Sequence, residues 1–294
     1  MIVVTGAGGF IGSAMVGYLN SIGRSDIIAV DDLPDPSQYK NLIGKTFSLI
    51  STKEVEAVAS FRPGEIECIL HLGAISDTLE TDWDKLYKQN ILSTRQWTSL
   101  ASEWRIPIVF ASTAAITGNG NGPLNQYAFS KHLSEMEIKD RAACLRLFNV
   151  YGPNEYHKGR MASTVYHWHD QVANTGSMKL FEDSDEYKRD FIYVDDVCRV
   201  FWHFAQNFKP GVYDVGTGKS ESFEHVADCL IEALGQDVYK EYIPMPTDLV
   251  KQYQKNTKAD LTALKHAGFE VDTFRSVLEG VEDYVGYLKD GSRI

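Results

Sequence analysis

The chain has 294 residues, 44% hydrophobic and 23% charged, and its 40 acidic against 29 basic side chains give a formal net charge of −11. That length can bury a sizeable core, as one large domain or as two lobes. The acidic balance, with no basic run longer than a pair, argues against nucleic acid or an anionic membrane as the main partner. An anionic small molecule remains compatible, because a few placed arginines can override a global deficit.

In chain order, the apolar run Ile2-Val-Val-Thr5 reads as a buried strand and leads into the glycine cluster Gly6-Ala-Gly-Gly-Phe-Ile-Gly12. A helical pattern follows (Ile11, Met15, Val16, Leu19), then a second buried run, Ile27-Ile-Ala-Val30, that ends in Asp31-Asp32. Glycines between a strand and a helix let the backbone approach a pyrophosphate that rests on helix N-terminal amides. The acidic residue at the end of the second strand is placed to accept hydrogen bonds from the adenosine ribose. Gly6, Gly9, Gly12 and Asp31 are therefore predicted to bind a dinucleotide. Asp32 adds a second negative charge where a 2′-phosphate would lie, and the first nearby cation is Lys40, so NAD is favoured, with NADP the alternative.

Cys68-Ile-Leu-His-Leu72, Ile108-Val-Phe-Ala111 and Ala143-Cys-Leu-Arg-Leu147 read as further buried strands, with helical patterns from about Trp83 to Trp104 and Tyr127 to Arg141 between them. Apolar strands alternating with helices predict an α/β fold, a Rossmann-type doubly wound parallel sheet. After Asn149 the chain becomes rich in Gly, His, Tyr and charge, and a strand-to-helix unit returns at Phe191–Val197. The expected organisation is interleaved: residues 1–150 and about 191–218 form the dinucleotide-binding domain, and about 151–190 and 219–294 form a smaller substrate-binding lobe.

Tyr127 and Lys131 stand one helical turn apart and so share a face. With 15 Tyr and 18 Lys in the chain, chance alone supplies about one such pair, so the spacing needs a context. The context is Ala111-Ser-Thr-Ala114 at a predicted strand end beside the cofactor. A hydroxyl, a phenol and an ammonium are what hydride transfer to or from an alcohol requires.

The four cysteines, Cys68, Cys144, Cys198 and Cys229, lie far apart in apolar runs with no CxxC, which reads as buried thiols in a reducing compartment. No apolar run reaches the roughly 18 residues of a membrane span, and Met1 leads directly into a strand pattern. A cytoplasmic location is the expectation. His167 and His169 are two apart and so unlike paired zinc ligands on a helix; no metal is expected.

The Gly-rich turn, the Thr113, Tyr127 and Lys131 constellation, and the segment His71-Leu-Gly-Ala-Ile-Ser76 together resemble the extended short-chain dehydrogenase/reductases, the NAD-dependent epimerase/dehydratase group. The resemblance covers nearly the whole chain. It implies that Thr113 orients the substrate oxygen, Tyr127 exchanges its proton, and Lys131 holds the ribose while lowering the phenol's pKa. It further implies cofactor contacts at Phe10, Ile11, Lys53, Leu72, Gly73, Ala74, Ile75, Ser76, Asn90 and Val150.

"FNVYGPNEYHKGRMAS" (148–163), "KLFEDSDEYKRDFIYVDDV" (179–197) and "YQKNTKADLTALKHAGF" (253–269) narrow the resemblance to the branch acting at C6 of ADP-glycero-manno-heptose. That branch implies transient oxidation of a carbinol, with Lys158 as a second proton-exchanging base. It also implies substrate contacts at Ser112, Asn149, Arg160, His167, Phe181, Glu182, Asp183, Ser184, Arg189 and Tyr253, an ADP-heptose-type nucleotide sugar as partner, and a homo-oligomer, a ring of five.

Four departures stand out: a shortened segment between Thr113 and Tyr127, Thr117 in place of a tyrosine, Arg160 where the branch tends to have serine, and Asp32 and Gln38 in place of residues associated there with NADP. A sugar 4,6-dehydratase is disfavoured by Ala114 and Ala115, which occupy the positions of its extra carboxylates. A UDP-sugar 4-epimerase shares everything except the Lys158 run. A catalytically silent dinucleotide sensor is the reading from a different class.

Overall fold

The computed structural model describes residues 1–54, 58, 60, 61, 64–118, 120–246 and 254–294. Its strands are β1 (Ile2–Thr5), β2 (Ile27–Val30), β3 (Ser48–Ile50), β4 (Cys68–His71), β5 (Ile108–Thr113), β6 (Ala143–Leu147), β7 (Asn149–Tyr151), β8 (Ser177–Phe181), β9 (Lys188–Arg189), β10 (Phe191–Tyr193), β11 (Gly211–Val215), β12 (Glu221–Ser222) and β13 (Tyr239–Ile243). Seven of them form one sheet in the order β11-β6-β5-β4-β1-β2-β3, and every pairing in it is parallel.

β1, β2 and β4 are buried at every position, as strands covered on both faces must be. One face carries Phe10, Met15 and Leu19 of the first helix, Phe10–Ser21, with Val197, Phe201 and Phe204 of the helix Val194–Gln206. The other carries Trp97, Leu100 and Ile138, from the helices Ser93–Trp104 and Gln126–Ile138. The Rossmann-type doubly wound sheet expected from the apolar runs is the fold observed. β3 escaped the sequence reading because it is a three-residue edge strand, with Ser48 and Leu49 exposed.

The chain crosses over between β1 and β4, so a crevice opens at the carboxyl ends of those strands. Above it, a separate apolar cluster gathers Tyr151, Trp168, Val172, Phe191, Tyr193, Leu230, Val281 and Tyr284. Three two-stranded pairs, β10-β7, β12-β9 and β13-β8, frame that cluster. Asp190 knits it to the sheet: its buried carboxylate accepts Thr217 N–H at 2.6 Å, Gly218 N–H at 2.9 Å and Ala259 N–H at 3.0 Å.

Candidate active site

The Gly-rich turn is built by close approach. Gly6 holds φ +65°, where a Cβ would stand 2.6 Å from Gly73 Cα, and a Cβ on Gly12 would stand 2.0 Å from Gly6 O. The first helix begins at Phe10 with Gly9 as N-cap and no side-chain cap, so its leading N–H groups face the crevice unclaimed by a capping side chain. Asp31 accepts Gly8 N–H at 2.9 Å and Leu33 N–H at 2.8 Å, which fixes its carboxylate beside the turn. Asp32 is held differently: Ser51 Oγ at 2.6 Å, Thr52 N–H at 3.0 Å and Thr52 Oγ1 all donate to it.

The wall opposite is set by Asn90, which lies in a π-helical stretch, Tyr87–Leu92. Its amide exchanges hydrogen bonds with Ile75, N–H at 2.8 Å and C=O at 3.1 Å, and donates to Ser130 Oγ at 2.8 Å. It therefore shapes the wall from behind. His71 is buried between Thr5 Oγ1 at 2.7 Å and Thr94 Oγ1 at 3.0 Å. Burial, reinforced by the Lys131 cation, pulls it down to about 3, so it stays neutral.

Asn125 caps the helix Gln126–Ile138 by accepting Ala128 N–H at 2.8 Å, which puts Tyr127 in the first turn and Lys131 one turn on. Thr113 ends β5. Burial raises the Tyr127 phenol, opposed by its hydrogen bond with Thr113. Burial also pulls Lys131 down to about 7, with its ammonium 3.9 Å from the centre of the Phe110 ring. The depressed phenol that the resemblance implies is not the state of the chain by itself: desolvation outweighs the nearby donor.

Lys158 arrives from the other side, on a 3-10 turn, Tyr156–Met161. Its ammonium stands 5.1 Å from the centre of the Phe10 ring. Desolvation pulls it below the usual lysine range, and the Glu155 carboxylate opposes that. One cleft of about 950 Å³ is lined by Gly6, Gly9, Phe10, Ile11, Gly12, Asp31, Asp32, Leu72 to Ser76, Ser112, Thr113, Tyr127, Lys131, Asn149, Val150 and Lys158. Residues as far apart in sequence as Gly6 and Lys158 thus converge there.

Other expected residues lie elsewhere. Lys53 is exposed near Asp32. Arg160 is exposed and paired with Asp77 at 2.6 Å. Ser112 borders the cleft, but its hydroxyl turns to donate to Glu135 at 2.6 Å, and Glu135 is held in turn by Arg146 at 2.7 Å. Phe181 and Ser184 line a second, aromatic cavity of about 260 Å³ with Trp168, Tyr187, Phe223 and Met245. Glu182 and Asp183 are exposed at its turn, and His167 is half-buried on the helix Thr164–Thr175. Arg189 is buried, 5.7 Å from the centre of the Phe223 ring. Tyr253 lies outside the described residues.

Two residues that sequence reading did not single out join the parts. Asn41 is buried, with its Nδ2 3.2 Å from Gly8 O, 3.0 Å from Asn154 O and 3.1 Å from His157 Nδ1. It links the Gly-rich turn to the Lys158 loop. Glu155, buried, opens that loop directly before the turn Tyr156–Met161. Asn41 carries no sequence signal because its partners are far away in the chain, and Glu155 carries none because its burial and its bond to Tyr284 are set by the fold.

A dinucleotide crevice with a tyrosine, a lysine and a hydroxyl at its edge defines an extended short-chain dehydrogenase/reductase. More narrowly, the chain belongs to the NAD dependent epimerase/dehydratase family, whose model matches residues 2–216. Among solved structures, it is similar to the ADP-L-glycero-D-manno-heptose-6-epimerase of Helicobacter pylori, at 25% identity over 98% of this chain and 96% of that one, TM-score 0.86. The UDP-glucose 4-epimerase of Thermotoga maritima is 26% identical over 99% of each chain, TM-score 0.84. The UDP-N-acetylglucosamine 4-epimerase of Methanobrevibacter ruminantium shares the fold at 21% identity, covering 99% of this chain and 98% of that one, TM-score 0.86.

The cofactor is NAD, and the residues present fit it. Glycines whose Cβ atoms would fill the turn, an uncapped helix start and a fixed Asp31 are what a pyrophosphate and an adenosine ribose need. Among the described residues no helix is long and apolar enough to cross a membrane.

Proposed function

We propose that the protein is a nucleotide-sugar epimerase that inverts C6 of ADP-glycero-manno-heptose, with Tyr127 and Lys158 exchanging protons on opposite faces of one carbinol. When bound, NAD supplies the reversible transfer of hydride at that carbon. Tyr127 accepts the hydroxyl proton, with Thr113 holding the oxygen in place. Lys131 fixes the ribose and favours the phenolate while it is charged. Lys158 serves the face that Tyr127 cannot reach. The observation that carries this reading is Lys158 lining the same cleft as Tyr127 and Thr113, although it comes from a separate loop.

Inverting one carbinol requires proton exchange on both faces, and a single tyrosine reaches only one. The aromatic cavity beside Phe181 is a fitting seat for the nucleotide base, where stacking adds to area burial. Arg189 is the clamp assigned to the diphosphate, because its planar donor fork matches phosphate oxygens. Asn149 borders the cleft and completes the sugar site.

The likeness to the Helicobacter pylori enzyme supports the heptose reading. A UDP-sugar 4-epimerase is the second reading, supported by the comparable likeness to the Thermotoga maritima enzyme. Incubating the holoenzyme separately with ADP-heptose and UDP-glucose, and following both by NMR, separates them. Lys158→Ala is expected to stall C6 inversion by about 100-fold or more while partial oxidation at C6, with matching reduction of the cofactor, survives. Normal inversion by that variant would sink the two-base mechanism.

A homo-oligomer is part of the proposal. Leu79, Trp83, Leu124, Phe129 and Met136 are exposed, and the Trp83 and Phe129 rings touch, centres 5.6 Å apart. A second copy of the chain is the occupant this face suits. Sedimentation of micromolar protein as a monomer would contradict it.

A further inference from the structure

The loop that carries Lys158 is fastened by a carboxylate for which the reaction has no direct task. Glu155 is fully buried. Its Oε1 accepts from Ser163 Oγ at 2.6 Å, the Tyr284 hydroxyl at 3.0 Å and Gly152 N–H at 3.4 Å. Its Oε2 accepts Ser163 N–H at 2.5 Å. Four donors converge on two oxygens, an arrangement suited to an ionised carboxylate rather than to one carrying its own proton.

These partners stand at both ends of the Lys158 loop and on the helix Val277–Asp290. Glu155 O also accepts Lys158 N–H at 2.9 Å, so the lysine lies one turn beyond the carboxylate. The titratable groups facing Glu155 are Lys158 on its own loop, Tyr284 from the C-terminal helix, and the Tyr156 and Tyr166 phenols. Burial pushes all three phenols upward, so they are neutral near pH 7. Arg293 stands behind them, 4.9 Å from the centre of the Tyr156 ring. Burial raises the Glu155 carboxyl, and the nearby Lys158 cation, followed by the Ser163 and Tyr284 hydrogen bonds, opposes that rise. An isolated buried charge is costly, whereas a paired and hydrogen-bonded one persists.

We propose that Glu155 is the positioning residue of Lys158: it fastens both ends of the loop and supplies the buried negative charge that keeps the ammonium protonated in the resting enzyme. For turnover, this rests on the reading of Lys158 as the second proton-exchanging group. A charged Lys158 starts the cycle as the acid. Tyr127 then takes the first hydroxyl proton, Lys158 returns one to the oxygen after the flip, and solvent resets both.

The test is a direct titration of Lys158 in the cofactor-loaded full chain, by amine labelling across pH read by mass spectrometry. The parent's labelling midpoint is expected above pH 7. Glu155→Gln, which removes the charge, should lower it by about one pH unit or more. Tyr284→Phe removes one donor but leaves the charge, and should move the midpoint far less.

A parent midpoint below 7, or equal midpoints in parent and a folded Glu155→Gln, overturns the proposal. If Glu155→Gln does not fold, Glu155→Asp keeps the charge and must keep the midpoint near the parent's; a fall there also overturns it. Labelling does not depend on what Lys158 does in catalysis. A midpoint that moves while the rate of C6 inversion does not would sink the two-base reading and spare this one.

Discussion

Tyr127→Phe is expected to lose about three orders of magnitude in turnover while remaining folded and loaded with NAD. The substitution removes one oxygen, whose partner within the chain is the Thr113 hydroxyl. Helix capping by Asn125 and the burial of Ala128, Ser130 and Lys131 are left as they are. A residual activity above about one tenth of the parent would show that another group takes the proton.

The pH dependence follows from the same two groups. Burial raises the phenol, so the fraction able to accept a proton grows as pH rises. Burial pulls Lys131 down to about 7, so its supporting charge is present below that pH and is lost above it. Phenolate beside ammonium is therefore a minor state of the pair, and the two titrations are coupled. Lys131→Met should accordingly fall furthest behind the parent below about pH 7, with the gap narrowing above it. A gap that stays constant across pH would assign Lys131 to ribose binding alone.

Much of the candidate site is legible in the sequence. The glycines of the first turn, Asp31 and the Tyr127–Lys131 pair each combine a local spacing with a position at a strand end, and both survive in a linear sequence. The apolar runs of β1, β2 and β4 announced buried parallel strands for the same reason. What stayed hidden is long-range polar pairing. Asp32 stands beside Asp31, yet its oxygens are bound by Ser51 and Thr52. Ser112 borders the cleft but gives its hydroxyl to Glu135. Arg160 reaches Asp77, and Glu155 gathers groups from residues 152 to 284. No periodicity encodes such partners, so a carboxylate in a loop and one in a core look alike on paper.

Gly12→Ala tests the cradle itself and is expected to weaken NAD binding by about 100-fold. The added Cβ would stand 2.0 Å from Gly6 O, 2.7 Å from Gly6 C and 3.1 Å from Ala7 Cα, all backbone atoms. Gly6 cannot retreat easily. Its N–H is bonded to Val30 O at 2.9 Å, its O receives Gly9 N–H at 3.0 Å, and Gly73 presses against it from behind. The helix must move instead, carrying the amides that face the pyrophosphate away from Asp31. That motion also disturbs Phe10, Met15 and Leu19 in the core, costing about 1–3 kcal/mol of stability. Gly286 provides the control, since a Cβ there meets nothing within 4 Å on the helix Val277–Asp290. Gly286→Ala should leave binding unchanged and raise stability by about 0.5–1 kcal/mol. Calorimetric titration with NAD and thermal melts of both variants decide the matter. If Gly12→Ala retains parental affinity, the pyrophosphate does not depend on this close approach of turn and helix.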